Sequence, residues 1–535
     1  MNRFLRFAFL LVTTVGIAQE DRFYIRTVSE SIEIPVTTKD SVVTYTGTDA
    51  GLQKLFTEHR VKIFRKGFKY ADRDKLKRSY FVIAETPKFQ QALLEKKNDF
   101  FEFAETIDPK TLKVFEPNDY GLTSTTAKTT SSESFFLDYY DFLGVPQAWY
   151  YTTGSRSVII GISDAKVDPQ DIEFKGKTKI LRSSSDVKGH GMSVAASAAA
   201  QGNNGYGIPG VCYDCSIYTT TYGDFRQFRQ LLEMSRAGAK VINCSWGSPR
   251  YYDTAQEVIN EMRANGTVIV SVPHNRKFNQ SEGEKIYYPG GYEHVISVGA
   301  IQHRFEEPKE SLAIEEKTGN FYAQNVKNTV ARTGRFKGNN PEDAFILFAS
   351  STSNMDRTVD IMAPGNFVFR YGRLGKLEEG ESLYNQFSAT SPSAPLVTGT
   401  IGLMFSLNPC LSVDEVNSII KLSATNIDHI PGNKPFKGNY GAGALHTGRA
   451  VKMVHDMLDS NDYTMIENQN FTRWNFSLDA ANKIKIRNQR FTDSSTVHFT
   501  AKQEILIEKE TVFLPSEKGS VFLEVNPKAG YTCKD

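Results

Sequence analysis

The architecture of this chain can be inferred from FSATSPSAP at residues 387–395, once that stretch is set beside two others far upstream. One is IGISD at residues 160–164, an apolar run that predicts a strand ending in a carboxylate. The other is GHGMSVAA at residues 189–196, which places a histidine between glycines at the start of a helix of small residues. Together they supply an aspartate, a histidine and a serine in that chain order, so we expect one catalytic site to draw on all three.

Each of the three side chains has a chemical reason to be present. A serine hydroxyl such as that of Ser391 is a weak nucleophile at neutral pH and needs a base within hydrogen-bond reach. We expect His190 to take the Ser391 proton and later return it to the leaving amine. Asp164 would hold the imidazole in the right tautomer and stabilise its protonated form. Asp168 is a rival, but Asp164 terminates the apolar strand.

The chain order Asp, His, Ser distinguishes this arrangement from two other orders in which the same triad occurs. On these residues the sequence resembles the subtilisin-like serine proteases, the subtilases, and the resemblance covers residues 117–458. It implies a serine endopeptidase that hydrolyses peptide bonds in proteins through an acyl-enzyme at Ser391. In that family an apolar strand ends in the asparagine of the oxyanion hole, and Asn275 falls at that point of the run 267–275.

Further segments follow the same family order. The stretch VINCSWG at residues 241–247 resembles the strand whose end lines the pocket for the residue before the scissile bond. This resemblance implies substrate binding by Ser245, Trp246 and Gly247. Three more segments fit the family without being catalytic, and they lie at residues 288–300, 360–365 and 440–443.

The sequence also departs from the family pattern. Ala389 stands where the serine box usually begins with Gly, and His274 stands where a Gly usually precedes the oxyanion asparagine. Both limit backbone freedom, because only Gly accepts positive φ without penalty. No reacting atom is lost, which favours an active enzyme. Because of the two substitutions, the alternative function is a catalytically silent subtilisin-like scaffold for binding or adhesion.

Composition is that of an ordinary globular protein. The chain has 535 residues, of which 40% are apolar and 23% charged, with a net charge of +2. There is no basic stripe with interleaved aromatic residues, so we expect no nucleic-acid partner. Residues 1–18 combine a basic start, a short apolar run and a small-residue end, which predicts a secretory signal peptide. We expect no transmembrane segment and a location outside the cell or at its surface, or in the periplasm of a two-membrane bacterium.

Composition shifts divide the chain into four segments. Residues 1–18 form the signal peptide, and residues 19–116 are predicted to form a small α+β unit that resembles the family's propeptide, an intramolecular inhibitor and folding chaperone. Residues 117–458 form the peptidase domain, in which alternating strands and helices predict a mostly parallel sheet in a three-layer α/β fold. Residues 460–535 alternate apolar with polar side chains and predict a small all-β module, serving secretion, attachment or stability or simply packing against the core. Residues 301–347 are interpreted as a surface insertion near the cleft.

The sequence leaves the oxidation state of Cys212 and Cys215 open. Cys212 and Cys215 are spaced for a local disulfide, but two free thiols fit equally well, and no zinc ligand set accompanies them. No cofactor is required by the expected chemistry, and no metal ligands can be assigned. Calcium often stabilises the family that this sequence resembles, yet its ligands cannot be mapped here. We expect protein or peptide substrates and a monomer.

Overall fold

The computed structural model divides the chain into two units, Met1–Leu112 and Lys113–Asp535. The residues that the structure describes are 21–39, 42–68, 73–86, 88–107, 114–117, 119–120, 137–275, 284–306, 308–315, 320–336, 344–351, 353–371, 384–458 and 462–530. The predicted signal peptide lies outside them. None of the helices they form is both long and apolar enough to cross a membrane.

The first unit is a small α+β fold, as the sequence predicts. Its main sheet is antiparallel, with the strand order Val61–Lys66, Ser79–Ala84, Asp21–Thr27 and Phe101–Thr106. Its described residues also form a hairpin and three helices: Val36–Lys39 with Val42–Tyr45, and Ala50–Glu58, Asp74–Lys77 and Phe89–Lys96. Aromatic side chains fill its own core, including Phe23, Phe56, Phe64 and Phe89.

The centre of the second unit is a seven-stranded sheet in which every neighbouring pair is parallel. The near-continuous apolar character of its middle strands reflects cover by helices on both faces. In order across the sheet the strands are Ile361–Pro364, Val295–Ile301, Val268–Ser271, Ala239–Cys244, Ile159–Ser163, Ser216–Thr220 and Thr178–Ile180.

Helices accompany this sheet in the alternating pattern that the sequence predicts. Ser393–Leu407 contains no charged residue and is buried on nearly every side, as expected of a central helix. Among the residues that the structure describes, the other helices of the unit are Asp138–Leu143, Val145–Tyr151, His190–Ala199, Arg229–Arg236, Asp253–Ala264, Val413–Leu422 and Thr447–Leu458, with 3₁₀ turns at Pro308–Ser311 and Pro431–Phe436. The predicted fold class, a three-layer α/β domain preceded by an α+β unit and followed by a β module, is confirmed.

One helix begins later than its periodicity predicts. The sequence favours a start at Asp224, whereas the helix begins at Arg229. Asp224 Oδ1 instead accepts a hydrogen bond from the backbone N–H of Arg226 at 2.9 Å, and Phe228 has φ 46°. A left-handed residue and an Asx-type turn interrupt the helical path.

Residues 301–347, expected to be a surface insertion, contain regular structure. Four strands form an antiparallel sheet in sequence order: Leu312–Glu315, Asn320–Ala323, Ala331–Phe336 and Ala344–Ser351. A separate hairpin joins Val368–Tyr371 to Tyr384–Phe387. Proximity of the insertion to the cleft stays a prediction.

The C-terminal module is a β-solenoid with three rungs. Each rung has three short strands, and each strand pairs in parallel with its equivalents in the adjacent rungs. The first rung consists of Tyr463–Glu467, Asn470–Phe471 and Asn475–Ala480; the second of Lys483–Arg487, Arg490–Asp493 and Thr496–Ala501; the third of Glu504–Ile507, Val512–Pro515 and Ser520–Val525.

The first rung packs against the peptidase domain. Glu415 Oε1 accepts a hydrogen bond from the N–H of Asp479 at 3.2 Å, and Ser418 Oγ accepts one from the N–H of Ser477 at 2.8 Å. Interior side chains of the first two rungs, such as Phe476 and Phe491, belong to the same apolar cluster as the helices of the peptidase domain. Packing on the core is therefore one role of the module.

Cys212 and Cys215 form a disulfide, so the first of the two states left open by the sequence is the one observed. Both residues are fully buried. Cys410 is also disulfide-bonded, and Cys244 is a buried free thiol.

Candidate active site

Asp164 lies directly after strand Ile159–Ser163, at the carboxyl edge of the parallel sheet. Its backbone N–H donates to Thr220 O at 3.0 Å, which ties the aspartate to the neighbouring strand. The side chain is fully buried, and Oδ1 accepts the N–H of Ala165 at 2.7 Å. This placement agrees with the rule that ligand-binding residues of parallel sheets follow the carboxyl ends of strands.

His190 is the first residue of helix His190–Ala199, and its Nδ1 lies 2.6 Å from Asp164 Oδ1. The imidazole keeps 23% of its surface exposed while the carboxylate has none. Gly191 makes this contact possible: a Cβ on it would lie 2.1 Å from Ala165 O. The helix and the loop carrying the aspartate therefore approach as closely as a glycine permits.

Ser391 lies two residues ahead of helix Ser393–Leu407, with Pro392 as the N-cap. Its backbone oxygen accepts a hydrogen bond from Ser245 Oγ at 3.0 Å. The preceding Ala389 N–H donates to Gly365 O at 2.8 Å, and a Cβ on Gly365 would lie 2.5 Å from Ala389 O. The expected serine box is thus held between the edge of the sheet and the start of helix Ser393–Leu407.

Asn275 follows strand Val268–Ser271 and contacts the residue before Ser391. Its Oδ1 accepts hydrogen bonds from both the N–H and the Oγ1 of Thr390, at 2.8 and 2.7 Å. With the amide oxygen engaged in this way, Nδ2 is the remaining polar group of the Asn275 side chain. The amide is held by two bonds in one orientation, as an oxyanion donor needs to be.

His274, which stands in place of a glycine, adopts φ 80°. This left-handed conformation costs a non-glycine residue of the order of 1 kcal/mol. The ring stacks on Tyr287 with 4.4 Å between centroids, and the backbone oxygen accepts the N–H of Asn354 at 3.0 Å. These contacts hold the turn that the glycine would otherwise permit. Ala389 does not share this strain, since its φ lies outside the left-handed region.

The expected substrate-binding residues follow strand Ala239–Cys244. Ser245 Oγ, besides contacting Ser391, accepts a hydrogen bond from Asn243 Nδ2 at 2.9 Å. Trp246 is buried, and its Nε1–H donates to Ser163 O at 2.8 Å, next to the aspartate. Gly247 is only loosely surrounded, because a Cβ on it would meet Tyr288 O at 3.4 Å. Strand ends from three adjacent strands thus meet at one edge of the sheet.

Tyr222 is a site residue that the sequence analysis missed. Its Oη donates to Asp164 Oδ1 at 3.2 Å. Burial, followed by the charge of Asp164, raises the pKa of Tyr222, so the phenol stays protonated as a donor. The only sequence signal is its position two residues beyond strand Ser216–Thr220, the neighbour of the strand that carries the aspartate.

Asp119 and Glu173 belong to a second group of buried polar side chains. Asp119 Oδ1, Glu173 Oε1 and Oε2, and Asn204 Nδ2 make no hydrogen bond of ordinary geometry to any described residue. Burial raises the pKa of Asp119 to about 7. Burial, and secondly the charge of Asp119, raises the pKa of Glu173 well above its usual range. Two neighbouring buried carboxyls with unused oxygens fit a hard cation with oxygen ligands.

Residues 155–443, more than half of the chain, match the model of the Subtilase family. They include Asp164, His190, Asn275 and Ser391.

Three relatives illustrate the match. The chain is 24% identical over 333 residues to the "Calcium-dependent protease" of Nostoc sp., with 58% of this chain and 48% of that protein covered. It is 24% identical over 283 residues to "Subtilisin DY" of Bacillus licheniformis, covering 51% and 85% of the two chains. It is 24% identical over 323 residues to the "Extracellular serine protease" of Serratia marcescens, covering 51% and 30%. The chain therefore spans about half the length of the first of these relatives.

Among solved structures, a protease from Pseudoalteromonas arctica PAMC 21717 aligns with a TM-score of 0.42 and 19% identity. It covers 62% of this chain and 99% of its own.

Proposed function

This chain belongs to the subtilase family, and we propose that it is a secreted serine endopeptidase made as a zymogen. The observation that carries the proposal is the hydrogen bond of 2.6 Å between His190 Nδ1 and the buried Asp164 Oδ1. A structural histidine needs no such partner, whereas a general base has to be held in one tautomer. Proteolytic activity among the named relatives agrees with the proposal.

In this mechanism Ser391 Oγ attacks the scissile carbonyl while His190 Nε2 takes its proton. The resulting imidazolium is stabilised by Asp164, which also fixes Nδ1 as the protonated nitrogen. His190 then gives the proton to the leaving amine, and the acyl-enzyme at Ser391 is hydrolysed by a water that His190 activates in turn.

The oxyanion of the tetrahedral intermediate would bind to two donors. Asn275 Nδ2 is one, because its Oδ1 is already engaged by Thr390. The backbone N–H of Ser391 is the second donor, because the next residue, Pro392, has no backbone N–H. One side-chain donor of this kind is worth roughly 3–4 kcal/mol in the transition state.

Substrate would lie along the segment from Ser245 to Gly247. Because the Trp246 ring is buried among Tyr222, Phe225 and Phe228, it supports the pocket from behind. The backbone of this segment and the open face of Gly247 would contact the peptide.

Residues 19–116 are proposed as the propeptide, an intramolecular inhibitor and folding chaperone that is removed after export; most of them lie in the unit Met1–Leu112. Its own apolar core supports the proposal, because a chaperone of this kind has to fold as a unit. Residues 1–18 would direct export, and processing would fall between residues 106 and 116.

We further propose that the buried Asp119 and Glu173 hold a structural Ca²⁺ ion. Their unused oxygens, and the pKa values that burial raises, support this. A bound divalent cation would replace the two protons that the carboxyls otherwise need at neutral pH. The ion would stabilise the fold and take no part in the reaction.

The test is intact mass and N-terminal sequencing of the purified chain beside Ser391→Ala. We expect the wild type to lose the segment up to about residue 116 and the variant to keep it. In a second arm both proteins, cut artificially ahead of Pro117, are treated with a fluorophosphonate probe. We expect labelling of the wild type alone. If the cut wild type is not labelled, the chain is a silent scaffold and the proposal is wrong.

A further inference from the structure

The third rung leaves the interior of the β-solenoid open. Register pairs Ile486 with Ile507 and Ala501 with Val525, so all four side chains face the same interior. Ile486 and Ala501 in the second rung are fully buried, whereas Ile507 and Val525 are 49% and 50% exposed. An apolar interior that ends without a polar cap is unusual for a repeat protein, because terminal repeats normally cover it.

The backbone of the third rung is open as well. Within the described part of the chain, each of its three strands pairs on one side only, with the second rung. The N–H of Asn526 donates to Ala501 O at 2.9 Å, which extends the pairing with the second rung by one residue. Two outward apolar side chains, Leu514 and Phe522, are also exposed, by 68% and 52%. Unpaired strand edges beside exposed apolar side chains form a template for another β-strand.

Charge alternates from rung to rung and indicates what such a strand would carry. The second rung contains one acidic residue and four basic residues, Lys483, Lys485, Arg487 and Arg490. The third rung contains two lysines and five glutamates, Glu504, Glu508, Glu510, Glu517 and Glu524. Within the stack, Lys485 Nζ lies 3.4 Å from Glu508 Oε1. Glu467 pairs with Arg487 in the same way.

We propose that the open face of the third rung binds a protein partner that adds a basic β-rung to the stack. This partner would continue the parallel ladder, cover Ile507 and Val525, and face the glutamates with lysine or arginine side chains. A second copy of this chain docked end to end would instead oppose two acidic rungs, and like charges placed opposite each other are unfavourable. This surface is separate from the proposed catalytic residues, and binding of a partner there does not depend on their activity.

The probe is a fluorescent peptide that copies residues 483–501, the basic rung that the third rung already accepts on its other side. Its binding to the full chain carrying Ser391→Ala is followed by anisotropy, so that the peptide is not cut. We expect saturable binding that weakens as salt rises, because exposed charges are screened. A peptide in which all four basic residues are replaced by Glu should bind at least about tenfold more weakly.

A protein variant tests the location. In Ile507→Lys/Val525→Lys, two charges enter the open end, and binding of the basic peptide should be lost. The matched control is Ile172→Lys/Ile180→Lys, which alters two apolar residues of the peptidase domain that are 54% and 37% exposed. This control should bind the peptide as the parent does.

Three results would overturn the proposal: no binding of the basic peptide, equal binding of the acidic peptide, or loss of binding in the control variant. A fourth measurement is sedimentation of the peptide-free chain. Self-association that Ile507→Lys/Val525→Lys abolishes would mean that the occupant is a second copy, contrary to the charge argument. The two peptides are compared on a chain whose third rung is unchanged, so misfolding of a variant cannot produce the expected result.

Discussion

Tyr222 Oη lies 3.2 Å from Asp164 Oδ1, the same oxygen that accepts the hydrogen bond from His190 Nδ1. The N–H of Ala165 makes a third bond to it at 2.7 Å. Three donors on one oxygen fix the carboxylate in rotation, so its orientation toward the imidazole does not depend on His190 alone. In the proposed mechanism Tyr222 is therefore a positioning residue.

Removing this hydroxyl should weaken catalysis without weakening binding. For Tyr222→Phe we expect kcat to fall by about tenfold with KM unchanged, because one hydrogen bond to a charged group is worth about 1.5 kcal/mol. Steady-state kinetics on a chromogenic peptide measures both constants. Tyr218→Phe, on strand Ser216–Thr220 just ahead of Tyr222, is the control and should match the wild type. A rise in KM alone would show that Tyr222 shapes the pocket instead.

The amide of Asn275 should act only in the transition state. Asn275→Ala is expected to lower kcat by about 10²–10³-fold with little change in KM. Thr390→Val retains the backbone N–H that holds the amide and removes only the hydroxyl, so we expect a smaller loss of about tenfold. Both variants should melt within a few degrees of the wild type in calorimetry. An Asn275→Ala enzyme within threefold of wild-type kcat would exclude the amide from the oxyanion hole.

Two glycines of the site should respond differently to the same added methyl group. At residue 191 the new Cβ would lie 2.1 Å from Ala165 O, so Gly191→Ala has to displace the loop that carries Asp164. We expect a loss of about 2–3 kcal/mol in unfolding free energy, within the range for overpacked sites. Urea unfolding of the chain carrying Ser391→Ala measures it.

At Gly247 the nearest atom to an added Cβ is Tyr288 O at 3.4 Å, an ordinary contact. We therefore expect Gly247→Ala to retain wild-type stability while KM rises, because the methyl group occupies the face proposed for substrate. Equal stability losses at the two positions would contradict this reading of the local packing.

The buried acidic pair predicts how stability depends on pH and calcium. The pKa of Asp119 is raised to about 7, above that of an unfolded aspartate, so between about pH 4 and pH 7 the folded state binds more protons. Without a cation, the stability that this group contributes is present below about pH 4 and is lost as pH rises through 7. In EDTA, the melting temperature of the Ser391→Ala chain should therefore fall between pH 5 and pH 8.

Calcium should reverse that loss, since it competes with the protons. We expect added Ca²⁺ to raise the melting temperature more at pH 8 than at pH 5, and Glu173→Gln to remove most of this gain. Glu257→Gln, which alters an exposed glutamate, should keep the full gain. A calcium effect that is the same in both variants would place the ion elsewhere.

The parallel sheet could be predicted because its strands are short apolar runs separated by helical stretches, whereas the order of the strands across the sheet was not predicted. Asp164, His190 and Asn275 were assigned from the family resemblance of the segments that carry them, and in the structure each begins or follows a regular element. Tyr222 could not be found this way. Its role depends on which strands become neighbours in the sheet, and that is set by tertiary packing.

The β module was predicted as to class but not as to topology. The available signal was an internal repeat, IENQNFT at residues 466–472 against IRNQRFT at residues 486–492. In the structure Asn488 Nδ2 donates to Asn468 Oδ1 at 2.9 Å, so the repeated asparagines stack at one corner of adjacent rungs. Period-2 alternation alone cannot distinguish antiparallel hairpins from stacked parallel rungs.

The shared apolar cluster of the solenoid and the peptidase domain has a consequence for how this protein can be divided. Ile466, Phe476 and Phe491 are buried in the same continuous interior as the central helix, so the two parts are expected to melt in a single cooperative transition. Truncating the chain at residue 460 would expose apolar side chains of the peptidase domain that the solenoid now covers, because the solenoid is not an independent domain. A truncated chain without the solenoid would therefore expose a contiguous apolar surface and be prone to aggregation.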